Sequence, residues 1–292
     1  MAGSARNRDF WSPLPAGSNW RPLGISREVR INTIIHMTEN ELKSFLDAKV
    51  DQYRHPAFLR DDPIQIPHRF SGKEDIEISG FLTAIISWGN RKSILRSADR
   101  MVGLMDRAPF DFVMHHEPSD LSAMDGFVHR TFNGTDLQYF IKGLKHLYMH
   151  KGGLEGVISD HADPHSTQGA IGALKAAFFE LPHPKRTAKH LPDPAKGSAA
   201  KRLNMFLRWM VREDTSGVDF RLWQRLSPAQ LSCPLDVHTG NVARKLGLLK
   251  RRQNDAKAVA ELDACLRRWD PGDPVKYDFA LFGLGVFEKW SE

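Results

Sequence analysis

Two cysteines in 292 residues leave sulfur chemistry little room. Cys233 and Cys265 alone cannot frame a set of disulfides, complete a four-cysteine zinc site or hold an iron–sulfur cluster. With no export signal in view, this scarcity sets the expectation of a reducing cytoplasm. No apolar run approaches the ~20 residues that a membrane span needs. The longest, from Gly80 to Gly89, is interrupted by Thr83 and Ser87 and suits a buried helix. Sustained period-two alternation is also missing, which leaves no confident strand. There is no internal repeat and no low-complexity stretch.

What is present is ordinary globular composition, 41% hydrophobic and 26% charged, on a chain long enough to bury a sizeable core. Basic residues outnumber acids by 41 to 35, for a net charge of +6, which favours a polyanionic partner without establishing one. The first 36 residues differ from the rest. Pro13, Pro15, Gly17, Pro22 and Gly24 lie among scattered arginines, and the segment has no apolar h-region. The expectation for residues 1–36 is a disordered tail or an over-extended start. Folded structure is expected over 37–292, opening with Thr38 as an N-cap ahead of Glu39 and Glu41.

From there nearly every periodic segment is helical. Leu42, Leu46 and Val50 recur every four residues, and Ile78, Phe81, Leu82, Ile85 and Ile86 form a broad apolar face. Ile94 to Met105, Leu137 to Leu147 and Ile171 to Phe178 repeat the pattern. Leu203 to Val211, Val237 to Leu249, Ala256 to Trp269 and Val275 to Leu284 follow, with a short helix expected over Val218 to Leu226. The fold class is all-α, with about ten helices.

Between Leu181 and Gly197 four prolines break any helix. This stretch is locally basic: from Lys185 to Arg212 there are eight lysines and arginines against Asp193 alone. By itself such a run most often marks a solvated loop.

Three segments narrow the reading. Leu191-Pro192-Asp193-Pro194-Ala195-Lys196-Gly197-Ser198-Ala199-Ala200-Lys201 is followed by Asn204 and Leu207. Cys233-Pro234-Leu235-Asp236-Val237-His238 opens a later helix, and Gly80 to Arg91 ends an earlier one. Together they resemble the hairpin and flanking helices of the helix-hairpin-helix DNA glycosylase superfamily, across Glu74 to Leu284. The spacing of 35 positions between Lys201 and Asp236 is closer to the archaeal 8-oxoguanine glycosylase type than to endonuclease III-like members. The resemblance implies a two-lobed helical fold and base excision with AP lyase activity through a lysine Schiff base, possible lesions including an oxidised purine. It further implies no cofactor and no metal, damaged duplex DNA as partner, a monomer, and a nucleoid-associated location.

The chemistry suits those residues. Base departure builds positive charge on the sugar, which a fixed carboxylate at Asp236 stabilises. A neutral amine attacks the anomeric carbon, and a lysine starting near ~10.4 needs desolvation or a neighbour such as Arg202 to reach that state. Lys201 is the expected amine, with Lys196 in the same hairpin as the alternative. The base must be flipped out of the duplex, and Trp88 and His238 are the expected pocket residues. The DNA backbone is expected at the N–H groups of Gly197 and Ser198. Lys196, Arg202 and the wedge candidates Asn90 and Arg91 would add to that grip. Bland roles stand beside these: Asp236 as a helix cap, Lys201 on the surface, Trp88 in the core, His238 packing at its helix start. The chain also departs from the family pattern, with one hairpin glycine in a longer turn, no wedge glutamine and no C-terminal four-cysteine cluster. A module of the same fold that binds nucleic acid without catalysis is the alternative function.

Overall fold

A computed structural model describes residues 37–55, 62–213 and 216–291. The expected tail or over-extended start at residues 1–36 lies outside the described residues. Twelve α-helices, six short 3-10 turns and one hairpin of two-residue strands make up the regular structure among them, so the fold is all-α in class. No helix among the described residues is long and apolar enough to cross a membrane.

The first helix, α1 (Glu39–Tyr53), begins where its cap predicts: Thr38 and Glu41 satisfy each other's backbone N–H groups in a capping box. α2 (Lys73–Ile85) is buried without interruption from Ile76 to Ile85, as a helix apolar on all sides must be. Asn90 caps α3 (Arg91–Gly103), and two short helices follow, α4 (Pro109–His115) and α5 (Pro118–Ser122), each with proline in its first turn. Strands β1 (Val128–His129) and β2 (Phe132–Asn133) pair antiparallel and lead into α6 (Gly134–His150). Next come α7 (Gly153–His161), α8 (Gln168–Phe178) and, after an irregular basic stretch, α9 (Lys201–Val211). The chain ends with α10 (Val237–Lys245), α11 (Ala256–Trp269) and α12 (Tyr277–Val286).

These helices bury two hydrophobic clusters. The larger draws on α2 to α9 and is aromatic at its centre, where Phe81 meets Phe206 at 5.7 Å and Phe140 meets Phe178 at 4.8 Å between ring centroids. The smaller joins α1 to α10, α11 and α12 through Leu46, Val242, Leu262 and Leu281. The two ends of the described chain are thus packed together. Close contact of α1 with α12 requires Gly283, because a Cβ there would fall 2.2 Å from the Tyr53 ring.

Two expectations about elements are corrected. Residues 218–226 are not a helix. Phe220, Leu222 and Trp223 instead donate their N–H groups to the carbonyls of Trp209 and Met210, supplying partners that the end of α9 lacks within its own helix. The helix expected to run from Val237 to Leu249 stops at Lys245. Gly247, at φ +72°, turns the chain, and the Leu248 N–H closes back on Ala243 at 2.9 Å.

Candidate active site

Both halves of the site are helix beginnings. Before α9 the chain makes a 3-10 turn at Pro194–Lys196 and reverses at Gly197, where φ is +89°. Within that turn the Gly197 N–H donates to the Pro194 carbonyl at 2.9 Å and the Ser198 N–H to the Asp193 carbonyl at 3.2 Å. The expected phosphate grip by these two N–H groups is therefore corrected: both are consumed inside the loop. The first N–H groups of α9, on Lys201 and Arg202, meet no acceptor among the described residues. Asn204 braces the loop from behind, donating to the Ala199 carbonyl at 3.0 Å and accepting from Gln168 at 2.8 Å.

Asp236 begins the second helix. Its Oδ1 accepts the Thr239 N–H at 2.9 Å, the usual work of an N-cap. Its carbonyl accepts from the Asn254 side chain at 2.8 Å. The other carboxylate oxygen, Oδ2, stands 4.0 Å from Lys201 Nζ, and both side chains stay partly open to solvent. Cap and ion pair thus use different oxygens of one carboxylate. Lys196 is elsewhere, 84% exposed and facing Asp193 at 3.9 Å. Of the two candidate amines, Lys201 is the one on the cleft.

That cleft has a volume of about 610 Å³ and is lined from residues 87–94, α9, the start of α10 and α12. Trp88 forms part of one wall, half-buried, with the His129 ring edge-on at 5.2 Å and the His190 ring stacked at 6.3 Å. Arg202 supports it. Expected on the DNA backbone, this guanidinium is turned inward, 4.8 Å from the Trp88 ring centre, and donates to the carbonyls of Ile85 and His190. Burial pushes its pKa down to about 10. The opposite rim carries Arg91, 5.6 Å over the Phe282 ring, and exposed His238. His238 Nδ1 meets Ser291 Oγ at 2.8 Å, while that hydroxyl donates to the Gly285 carbonyl. The imidazole therefore carries a hydrogen on Nδ1. Asn90 does not line the cleft: its side chain accepts the Ser93 N–H at 3.2 Å and caps α3.

The floor is charged. Arg208, 4% exposed, hydrogen-bonds Asp278 and faces Asp219 at 3.4 Å, with Phe279 beneath it at 4.3 Å. Arg212 joins Asp219 and Asp273 behind them. Burial, countered by Arg208 and aided by the neighbouring Asp236 charge, pushes the Asp278 carboxyl up to about 6.

The family described as "Protein of unknown function (DUF2400)" matches residues 62–287. The chain belongs to this family. No curated protein and no solved structure matches it. The DUF2400 match contains the whole cleft as described, with Trp88, Lys201, Asp236 and Asp278, and stops short of α1.

Of the residues singled out from sequence, the fold brings Lys201, Asp236, Trp88, Arg91, Arg202 and His238 to one cleft. Lys196, Gly197, Ser198 and Asn90 fall outside it. Sequence reading missed Asp278 and Arg208. Arg208 shares a face with Lys201 and Asn204 and reads as part of the basic run, and for Asp278 an acid in the first turn of an otherwise hydrophobic helix was the available signal.

Proposed function

We propose that this cleft excises damaged bases from DNA, as a glycosylase of the helix-hairpin-helix type with AP lyase activity. The observation that carries the reading is the meeting of Lys201 Nζ and Asp236 Oδ2 at 4.0 Å on an open cleft, from helix starts 35 residues apart in sequence. An amine beside a carboxylate is what the reaction needs. Asp236 stabilises positive charge growing on the sugar and accepts the proton that Lys201 must lose. As the base leaves, Lys201 Nζ bonds to the anomeric carbon and gives its proton to Asp236. The bond from that carbon to the ring oxygen then opens, the oxygen takes the proton back from Asp236, and the resulting Schiff base permits strand cleavage.

A volume of about 610 Å³ lies within the range of small-ligand sites. Trp88 supplies a π-face for an extruded base, and the rim residue Arg91 suits a nearby phosphate. The first N–H groups of α9 replace Gly197 and Ser198 as the phosphate-facing donors. The partner is duplex DNA containing a damaged base, bound by a single copy of the chain.

Borohydride trapping tests the reading. The protein is incubated with duplexes carrying 8-oxoguanine, uracil, thymine glycol or an abasic site. A covalent adduct that disappears in Lys201→Ala is the expected result. Salt-sensitive binding with neither adduct nor product overturns the enzyme reading and leaves a nucleic-acid-binding module.

A further inference from the structure

Asp278 has no task in the amine chemistry just described, yet it lies on the floor of the same cleft, in the opening turn of α12. Its side chain is 8% exposed and bonded to Arg208. Arg208 is shared with Asp219, and together with Arg212 it makes two guanidiniums facing three carboxylates, Asp219, Asp273 and Asp278. Other charged groups bear on it from each neighbouring element. Lys201 on α9 opposes its negative charge, whereas Asp236 at the start of α10 adds to it. Asp62, on the 3-10 turn Pro63–Gln65, lines the cleft with Oδ1 accepting the Ile64 N–H at 3.0 Å. The Cys233 thiol, also near Asp278, is held neutral by burial, which pushes its pKa well up. Desolvation together with a like charge favours a carboxyl that keeps its proton.

We propose that Asp278 is the proton donor to the departing base. The inference rests on the glycosylase reading. In the step, the bond from the sugar C1′ to the base nitrogen breaks and its electron pair passes to the base. A ring nitrogen of the base takes the Asp278 proton, while Lys201 Nζ bonds to C1′ and passes its own proton to Asp236. Asp278 is left as an anion against Arg208, which explains why a buried arginine touches the cleft floor. Bases that leave poorly as anions gain most from such a donor.

The experiment compares two substrates for one variant. Lesion duplexes carrying 8-oxoguanine, uracil or thymine glycol require base departure, and a duplex with a preformed abasic site does not. In Asp278→Asn the ratio of the excision rate to the abasic-site trapping rate falls at least about tenfold at neutral pH, as loss of a general acid implies. In the wild type, excision declines as pH rises above about 6, where burial sets the Asp278 carboxyl, and trapping does not share that decline.

A ratio within about twofold of wild type overturns the donor role, whether both rates are kept or both are lost. If Asp278→Asn does not fold, judged by thermal melting, the wild-type pH comparison decides. A wild type that excises no lesion overturns the glycosylase reading and this inference together. One that excises lesions independently of Asp278 overturns this inference alone.

Discussion

The guanidinium of Arg202 lies 4.8 Å from the centre of the Trp88 ring and donates to the carbonyls of Ile85 and His190. Ile85 ends α2, where carbonyls lack helical partners and carry partial negative charge, so a cation there is favoured. Arg202 is thus a strut that ties the aromatic wall to the end of α2 and to His190.

Replacing it with alanine leaves buried carbonyls without a donor. Arg202→Ala is expected to cost about 2–3 kcal/mol of stability, by analogy with hydrogen bonds to charged groups. The slope of log binding constant against log salt for duplex DNA stays at the wild-type value, because the side chain does not reach outward. Lys196→Ala, on an exposed ammonium, leaves stability unchanged and lowers that slope by about 1. Reduced slope in the Arg202 variant would return it to the phosphate contacts.

Asp236→Asn separates cap from chemistry. Asparagine caps helices about as well as aspartate, so the melting temperature should stay near wild type. Single-turnover excision should fall by about 100-fold or more, the scale of removing a charge-stabilising group from an active site. A variant that melts earlier yet excises normally would reduce Asp236 to its capping role.

Gly283 and Gly172 should respond in opposite directions. A Cβ at Gly283 would meet the Tyr53 ring at 2.2 Å, forcing α1 away from α12, whereas one at Gly172 in α8 meets nothing within 4 Å. Gly283→Ala is expected to destabilise by about 1–3 kcal/mol, as overpacking does. Gly172→Ala should stabilise by about 0.5–1 kcal/mol by restricting the unfolded chain. Urea melts of both variants check the contrast.

Asp263 gives stability a pH dependence. Burial pushes its carboxyl up to about 6 from an ordinary 3.8, although it accepts the Cys233 N–H at 2.9 Å. The folded state therefore binds this proton more tightly than the unfolded state. Its contribution is fully present below the unfolded value and is lost as pH rises through the folded one. Between those values the wild type should lose about 1.4 kcal/mol per pH unit from this group. Asp263→Asn keeps an acceptor for the Cys233 N–H and lacks the titration. Its stability relative to wild type should therefore climb across the same window in denaturant melts, and a flat difference would assign the pH dependence to other groups.

Much of the architecture was legible because it is local. Thr38 with Glu41 and Asp236 with Thr239 begin helices through bonds spanning three residues, and the apolar faces of α2, α6 and α9 repeat at helical spacing. The 35-residue separation of Lys201 and Asp236 also allowed their helix starts to meet.

The direction in which a side chain points is not local. Arg202 reads as a free cation beside Lys201 until the end of α2, 117 residues away in sequence, arrives to accept its hydrogen bond. The N–H groups of Gly197 and Ser198 were available on paper and are consumed by a loop closure that depends on where Asp193 and Pro194 fold back. Asp278 and Arg208 lie 70 residues apart, one an isolated acid in an apolar helix and the other one of three basic residues in α9, until both are buried together. Sequence by itself therefore determined where helices begin, which faces they bury and which amine and carboxylate had to be compared. Tertiary structure alone decided which charges are buried and which face the cleft, because desolvation and pairing depend on neighbours that chain order does not reveal.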